Sequence, residues 1–357
     1  MRHAKRCALC GKPSALVSAA LATCVACLRT HPTDSLPLAH QAHVAARRKF
    51  GLPPTSPVTP GGVQCRLCAR ECLIGAGERG YCGLRTVGEG RLVHWAGIPA
   101  RGLLHWYRDA LPTNCVADWV CPGSRQFGRH NLAVFYASCT LDCLFCQNWT
   151  FREVSPHAAE TTSARELAEV ANAQTFCVCF FGGDPASQMT HALAAGSQLA
   201  RQGVVVCWET AGTSNPRLLD RAVELSLSSV GCIKFDLKAG DENLHIALTG
   251  ASNRQTLENF ARAARRFNER PQAPLVIAST LLVPGYVDAE EVGRIAHFIA
   301  GINPAIPYSL LGFAPHFFMS DLPRTSLRHA REAEEAARAA GLTNVHIGNR
   351  HLLGHDY

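Results

Sequence analysis

From Asn131 to the carboxyl end, short apolar runs alternate with longer amphipathic stretches, and this alternation restricts the fold more than any other feature of the sequence. The runs are Leu132 to Tyr136, Phe176 to Phe181, Val204 to Trp208, Cys232 to Leu237, Leu275 to Val283 and Tyr308 to Phe313, with a last short one at Asn344 to Ile347. Between them lie stretches of helical period: Ser163 to Ala173, Ala186 to Arg201, Pro216 to Leu227, Arg254 to Phe267, Ala289 to Ile299 and Ser326 to Ala340. Ser163 stands three residues before Glu166, which predicts a capping box. Six or seven strand-sized runs, each followed by a helix-sized stretch, predict parallel strands with crossover helices, closed as a barrel or left as an open α/β sheet. In both arrangements the chemistry belongs at the carboxyl ends of the strands.

The first 130 residues have a different texture. Residues 1–30 form a cysteine-paired knuckle, 31–62 are rich in proline, threonine and histidine and are expected to be a linker or wrapping segment, and 63–130 are a cysteine-rich region without clear periodicity. Residues 131–357 make up the expected barrel. The opening Met1 to Arg6 followed by the apolar Ser14 to Leu28 mimics a signal peptide. A discarded leader would have no reason to keep Cys7, Cys10, Cys24 and Cys27 in two Cys-x2-Cys pairs, so no leader is expected. No uninterrupted apolar run is long enough to span a bilayer, and no membrane partner is expected.

The chain has 357 residues, 47% of them hydrophobic, which excludes a disordered polymer. Its 17 cysteines are too many for an ordinary core and fall mostly in short-spaced groups, for which metal binding is a better reading than disulfides. The formal charge of +7 comes from 30 arginines and five lysines against 28 acidic residues. Metal-bound thiolates would bring it down to about +2, so charge alone does not argue for a nucleic-acid partner. Arg2, Lys5, Arg6, Lys12 and Arg29 surround the knuckle, and such charges usually make a solvated face.

Cys139, Cys143 and Cys146 follow the first apolar run directly, in the loop at its carboxyl end. Spacings of three and two bring three sulfurs onto a compact centre, and soft thiolates select iron–sulfur or zinc. Tetrahedral zinc and ordinary iron–sulfur clusters both want four ligands. The second run ends in Phe181-Gly-Gly-Asp-Pro185, whose glycines permit close backbone approach. In the fourth run, strand alternation puts Asp236 and Lys238 on one face, and an inward charged pair is costly unless a ligand or partner meets it.

Together these residues resemble the radical S-adenosylmethionine (SAM) superfamily. Its signature is the CxxxCxxC of Cys139, Cys143 and Cys146 with an aromatic residue, Phe145, before the last cysteine. The resemblance implies that the three cysteines ligate three irons of a 4Fe–4S cluster and that SAM chelates the fourth. Gly182, Gly183, Asp184 and Pro185 resemble the family's GGEP loop for the SAM amino group, with aspartate in place of glutamate. Glu209 and Thr210, in Trp208-Glu-Thr-Ala-Gly-Thr213, and Asp236 and Lys238, in Phe235-Asp-Leu-Lys238, resemble segments of the pyruvate formate-lyase activating enzymes. By that likeness Lys238 faces the SAM carboxylate, and Glu209, Thr210 and Asp236 line the sulfonium side. The implied fold is a partial TIM-type (β/α)6 barrel.

Thr280 to Tyr286, Phe313 to Pro323 and Val345 to Asn349 resemble one subgroup, the AmmeMemoRadiSam-system radical SAM enzymes. Alanine stands at that subgroup's usual histidine place, with His316 two residues on, so no histidine role is carried over. The same subgroup accounts for Cys65, Cys68, Cys72 and Cys82, an auxiliary four-ligand site for zinc or a second iron–sulfur cluster. Cys7, Cys10, Cys24 and Cys27 lie outside the resemblance; their two pairs, separated by 13 residues, fit a zinc ribbon. Cys115 and Cys121 either add ligands to an auxiliary site or are incidental. Packing is the default reading for Cys177, Cys179, Cys207 and Cys232.

The expected function is that of a cytoplasmic radical SAM enzyme. An external one-electron donor such as a flavodoxin or ferredoxin would reduce the cluster, SAM would be cleaved to a 5′-deoxyadenosyl radical, and that radical would take hydrogen from a small molecule or a protein. Activation of a glycyl radical enzyme is the alternative within the class. A zinc-dependent binding protein with a catalytically idle barrel is the alternative outside it.

Overall fold

The computed structural model describes residues 5–113 and 115–357; Arg2, one of the basic residues around the knuckle, lies outside them. The centre is an eight-stranded sheet. Strands β8 (His130–Tyr136), β9 (Thr175–Gly182), β10 (Val205–Thr210), β11 (Ile233–Asp236), β12 (Val276–Leu282), β13 (Tyr308–Gly312) and β14 (Val345–Gly348) pair in parallel in chain order, and β7 (Leu104–Ala110) adds to β8 antiparallel. Strands β7 and β14 are the two edges, so the curved sheet is a partial barrel.

Helices α3 (Ala164–Glu169), α4 (Met189–Arg201), α5 (Pro216–Ser229), α6 (Glu242–Thr249), α7 (Arg254–Ala264), α8 (Ala289–Ala300) and α9 (Leu327–Ala339) connect successive strands and cover the outer face. Side chains at alternate strand positions pack under them; Phe180 of β9 stacks on Trp208 of β10 at 4.8 Å between ring centres. Local chemistry sets the helix starts. Ser163 and Glu166 form the predicted reciprocal capping box, and Asn215, Asp241, Asp288 and Ser326 accept first-turn amide protons of α5, α6, α8 and α9.

Two expectations for the amino-terminal region need correction. The segment 31–62 is not all linker, because α1 (Val25–Thr30) leads into the 17-residue α2 (Pro32–Arg48). Its proline at the first helical position is pre-set for a helix start, and Ala39, Ala42, His43, Ala46 and Arg47 form a buried face of mostly small residues that a search for bulky periodic residues passes over. The boundary at residue 131 does not divide two bodies either. Strand β7, from the region read as aperiodic, hydrogen-bonds along the whole of β8, from Leu104 opposite Tyr136 to Ala110 opposite His130. Its residues are only half-buried or exposed, so its polar and aromatic side chains show no apolar face to read from the sequence.

Three short antiparallel pairs complete the amino-terminal region: β1 (Lys5–Arg6) with β2 (Pro13–Ser14), β3 (Val63–Gln64) with β4 (Leu73–Ile74), and β5 (Arg85–Gly88) with β6 (Arg91–His94). The knuckle is docked on the barrel. The Tyr286 hydroxyl accepts from the Ser18 amide at 2.9 Å and donates to the Thr23 carbonyl at 3.0 Å. Lys5 ion-pairs with Asp321, and Arg29 reaches Asp288, Glu290 and Glu291 at 2.9 to 3.1 Å. Among the described residues, no helix is long and apolar enough to cross a membrane.

Candidate active site

At the carboxyl end of β8 the chain leaves the sheet at Tyr136 and enters the loop that holds Cys139, Cys143 and Cys146. The loop is tied to the end of α6 by two backbone bonds, from Asp142 N to Thr249 O at 2.8 Å and from Leu144 N to Leu248 O at 3.1 Å. Its centre is the fully buried carboxylate of Asp142, which accepts from Arg152 Nη1 at 2.5 Å and His43 Nδ1 at 2.9 Å. Asp142, Arg152 and His43 were not picked out from the sequence. Their only signal is a charged residue inside an apolar motif, and its partners lie on α2 and beyond the loop.

The three thiols line one cavity of about 260 Å³ with Gly182, Gly183, Asp184, Glu209, Thr210, Asp236, Lys238 and Phe145. Thus the strand-end motifs named from the sequence face a single space. Pro185 is buried behind the wall as the first residue of a short helix.

The glycines are required by space. Gly182 has φ +93°, and a Cβ there would lie 2.7 Å from the Phe135 ring; a Cβ on Gly183 would lie 2.1 Å from the Ser138 carbonyl oxygen. The chain therefore passes directly against the cysteine loop. Asp184 ties β9 to β10: its carboxylate accepts from Ala186 N at 2.7 Å, Thr210 Oγ1 at 2.9 Å and Ala211 N at 2.9 Å. Burial pushes the Asp184 carboxyl above its ordinary range, and those three donors pull against that shift.

Asp236 and Lys238 share a face, as alternation predicts, and form an ion pair; the ammonium also stands 5.8 Å from the centre of the Phe145 ring. Glu209 lies 3.5 Å from Lys234, a buried lysine that was not picked out from the sequence. Burial raises all three cysteine thiols, Cys143 to about 12 with the Lys238 charge opposing the rise.

The residues fit a thiolate-bound iron–sulfur cluster with SAM. Among the described residues no fourth cysteine stands on the cavity wall, so three thiols leave one coordination position for another ligand. Arg152 also lines the cavity, and among the described residues its buried Nε–H has no hydrogen-bond partner. A buried donor without an acceptor is costly unless a ligand meets it.

The two amino-terminal cysteine groups differ in geometry. All four sulfurs of Cys7, Cys10, Cys24 and Cys27 lie within 4.8 Å of one another, and among the described residues no other such group does. Cys7 and Cys27 are 3.7 Å apart and Cys10 and Cys24 3.9 Å, close to the ~3.8 Å expected around tetrahedral zinc. Buried Arg85 lies near Cys65, Cys68 and Cys82 and donates to Cys82 Sγ at 3.1 Å, but no three sulfurs of Cys65, Cys68, Cys72 and Cys82 lie within 4.8 Å of one another. Cys82 and Cys139 line a common cavity of about 170 Å³. His316 is exposed. Cys115 and Cys121 join neither amino-terminal group; they line a separate cavity inside the barrel.

A parallel partial barrel whose strand ends gather three thiols, a glycine edge and a half-buried acid–base pair round one cavity is built as a cofactor-dependent enzyme. Residues 133–299, a little under half of the chain, match the family model of the Radical SAM superfamily; the chain carries a Radical SAM domain and is an enzyme. It is 25% identical over 311 residues to an uncharacterised protein of Methanocaldococcus jannaschii, covering 82% of this chain and 83% of that one. It is 30% identical over 142 residues to the isethionate sulfite-lyase activating enzyme of Oleidesulfovibrio alaskensis, 39% of this chain and only 43% of that enzyme. The pyruvate formate-lyase 1-activating enzyme of Escherichia coli is 26% identical over 191 residues, 50% of this chain and 74% of the enzyme.

Proposed function

We propose that Cys139, Cys143 and Cys146 hold a 4Fe–4S cluster whose fourth iron takes SAM, and that the enzyme abstracts hydrogen from a substrate bound beyond the sulfonium. The chemistry supplied by the bound pair is one-electron reductive cleavage of SAM to methionine and a 5′-deoxyadenosyl radical, which takes the hydrogen atom. The observation that carries this reading is the convergence of the three thiols, Gly182-Gly183 and the Asp236–Lys238 pair on one cavity wall. Gly182 and Gly183 let backbone carbonyls approach the amino group of SAM. Asp184 holds that edge against Thr210 and Ala211. Lys238 meets the carboxylate, with Asp236, Glu209 and Thr210 along the sulfonium side. Arg152, on the same wall, would offer its Nε–H to the bound pair. Buried Leu141 and Phe151 help to keep water from the thiolates.

The test is anaerobic purification, reconstitution, addition of SAM and dithionite, and assay for 5′-deoxyadenosine. Iron and acid-labile sulfide with 5′-deoxyadenosine formation support the reading. Zinc alone, with no 5′-deoxyadenosine and iron content unchanged on replacing the three cysteines by alanine, overturns it in favour of a zinc-dependent binding protein. The second reading, activation of a glycyl radical enzyme, has the support of the two activating enzymes among the relatives. It requires a glycyl radical signal in a partner by electron paramagnetic resonance.

For the knuckle, the close sulfur spacing supports zinc. For Cys65, Cys68, Cys72 and Cys82, the wider spacing and the cavity shared with Cys139 support a second iron–sulfur cluster over zinc. That site would stand next to the first and could pass electrons to it. An iron content near eight per chain, falling by about half in Cys68→Ala, is the expected result.

A further inference from the structure

Eleven of the 17 cysteines belong to the three groups above. The other six, Cys115, Cys121, Cys177, Cys179, Cys207 and Cys232, all line one cavity of about 110 Å³ in the barrel lumen, beneath the candidate active site. Parallel pairing sets Cys179 of β9 opposite Cys207 of β10. Trp208 is opposite Ile233, so Cys207 in turn neighbours Cys232, and their sulfurs are 3.7 Å apart. The result is a row of three thiols across adjacent strands, whose backbones a sheet spaces at about 4.8 Å. Cys177 lies one layer below, and the segment between β7 and β8 brings Cys115 and Cys121 to the same space.

The layer above the row holds Glu209 and Lys234. Lys234 is fully buried, and its ammonium donates to Cys115 Sγ and Cys179 Sγ, each at 3.0 Å. The Glu209 carboxylate stands farther off, at 3.5 Å. A neutral thiol is a weak acceptor and a poor partner for a buried ammonium. A metal-bound thiolate is an anion, and a charge-assisted N–H···S bond to it suits this geometry. Packing alone would be met by alanine or valine, as at Ala133 and Val205 on the same cavity wall.

We propose that this chamber is a further metal centre, distinct from the three cysteine groups already described. Cys179, Cys207 and Cys232 bind a thiophilic metal as thiolates, with Cys115 completing the set and Lys234 offsetting its negative charge. Each ligating thiol gives up its proton on binding, so metal uptake is proton-coupled. No three of these sulfurs lie within 4.8 Å of one another, unlike those of the knuckle, so the site closes on its metal instead of standing preformed. Thiolates select Cu(I), zinc or iron with sulfide, and this common chemistry is what the chamber recognises. The proposal stands independently of SAM binding.

The test uses the full chain, purified anaerobically. Zinc, copper, iron and acid-labile sulfide are measured per chain, and chelator-treated protein is then titrated with Cd(II) while the ultraviolet thiolate–cadmium absorption is followed. Cys207→Val/Cys232→Val is expected to lose about one Cd(II) equivalent relative to the parent while the equivalents of the other groups persist. A deficit of zinc or copper in the protein as purified identifies a single ion, and a deficit of iron with sulfide identifies a cluster. Should the double variant fail to fold, Cys115→Ser, in a loop, is expected to weaken the same Cd(II) step at least tenfold with unchanged circular dichroism. Equal Cd(II) equivalents and affinities in the parent and a folded variant would overturn the proposal and leave the chamber as packing.

Discussion

At the scale of single residues, the site depends on charges whose partners come from different strands. Asp184 receives three hydrogen bonds from β10 and its own loop. Asp184→Ala leaves those donors buried and unpaired, and the expected cost is about 2 to 4 kcal/mol of unfolding free energy by chemical denaturation. Lys238 serves a different end. Lys238→Met keeps the length and apolar stem of the side chain but removes its charge, so SAM affinity measured by calorimetry is expected to fall at least tenfold while iron content is retained. A variant that binds SAM as tightly as the parent would remove Lys238 from the proposed site.

At the scale of elements, β8, β9 and α4 are locked by small and buried groups. A methyl on Gly183 would meet the Ser138 carbonyl at 2.1 Å, so Gly183→Ala must push the β9 end away from the cysteine loop. Iron incorporation into that variant is expected to drop by more than half, and parental iron content would show that the loop can yield. His191 on α4 is a second lock: Nε2–H donates to the Thr162 carbonyl at 2.9 Å, and Nδ1 accepts from the Tyr136 hydroxyl at 2.8 Å. Burial lowers its pKa to about 4. Above about pH 6.5 the ring is neutral in both the folded and unfolded chain, and stability does not depend on it. Between pH 6.5 and about 4 the unfolded chain takes the proton and the folded chain does not, so stability falls by up to about 3 kcal/mol. His245, also lowered to about 4 by burial, adds a loss of the same sign. Melting temperature should therefore drop as pH falls from 7 to 5, and His191→Gln should flatten that slope.

At the scale of the whole molecule, the knuckle and α2 act as braces for the barrel. Arg29 of α1 meets three acidic residues at the start of α8, one of them the fully buried Glu291. His43 and Arg47 of α2 approach Asp142 inside the cysteine loop. Removal by a chelator of the zinc proposed for the knuckle is therefore expected to expose residues 5–62 to limited proteolysis and to loosen the proposed iron site at Cys139, Cys143 and Cys146. An unchanged digestion pattern would mean that packing through Tyr286 suffices without metal.

The barrel was legible in the sequence because each apolar run keeps at least one face buried and each connecting helix carries one apolar stripe, patterns that survive without knowledge of neighbours. The cysteine loop, Gly182-Gly183 and Asp236 with Lys238 were legible because close backbone approach and alternation constrain residue type locally. What escaped were features whose cause lies across the chain. Strand β7 is an edge, α2 hides its contact face in alanines, and Arg152 gains meaning only where Asp142 is buried beside it. Cys179, Cys207 and Cys232 stand well apart in sequence and looked like separate packing residues. Sequence alone determined the strand-helix repeat, the three thiols and the glycine edge, because periodicity and steric demand act on neighbouring residues. Only the tertiary structure decided that six scattered thiols share one chamber, because parallel register aligns residues that no local pattern connects.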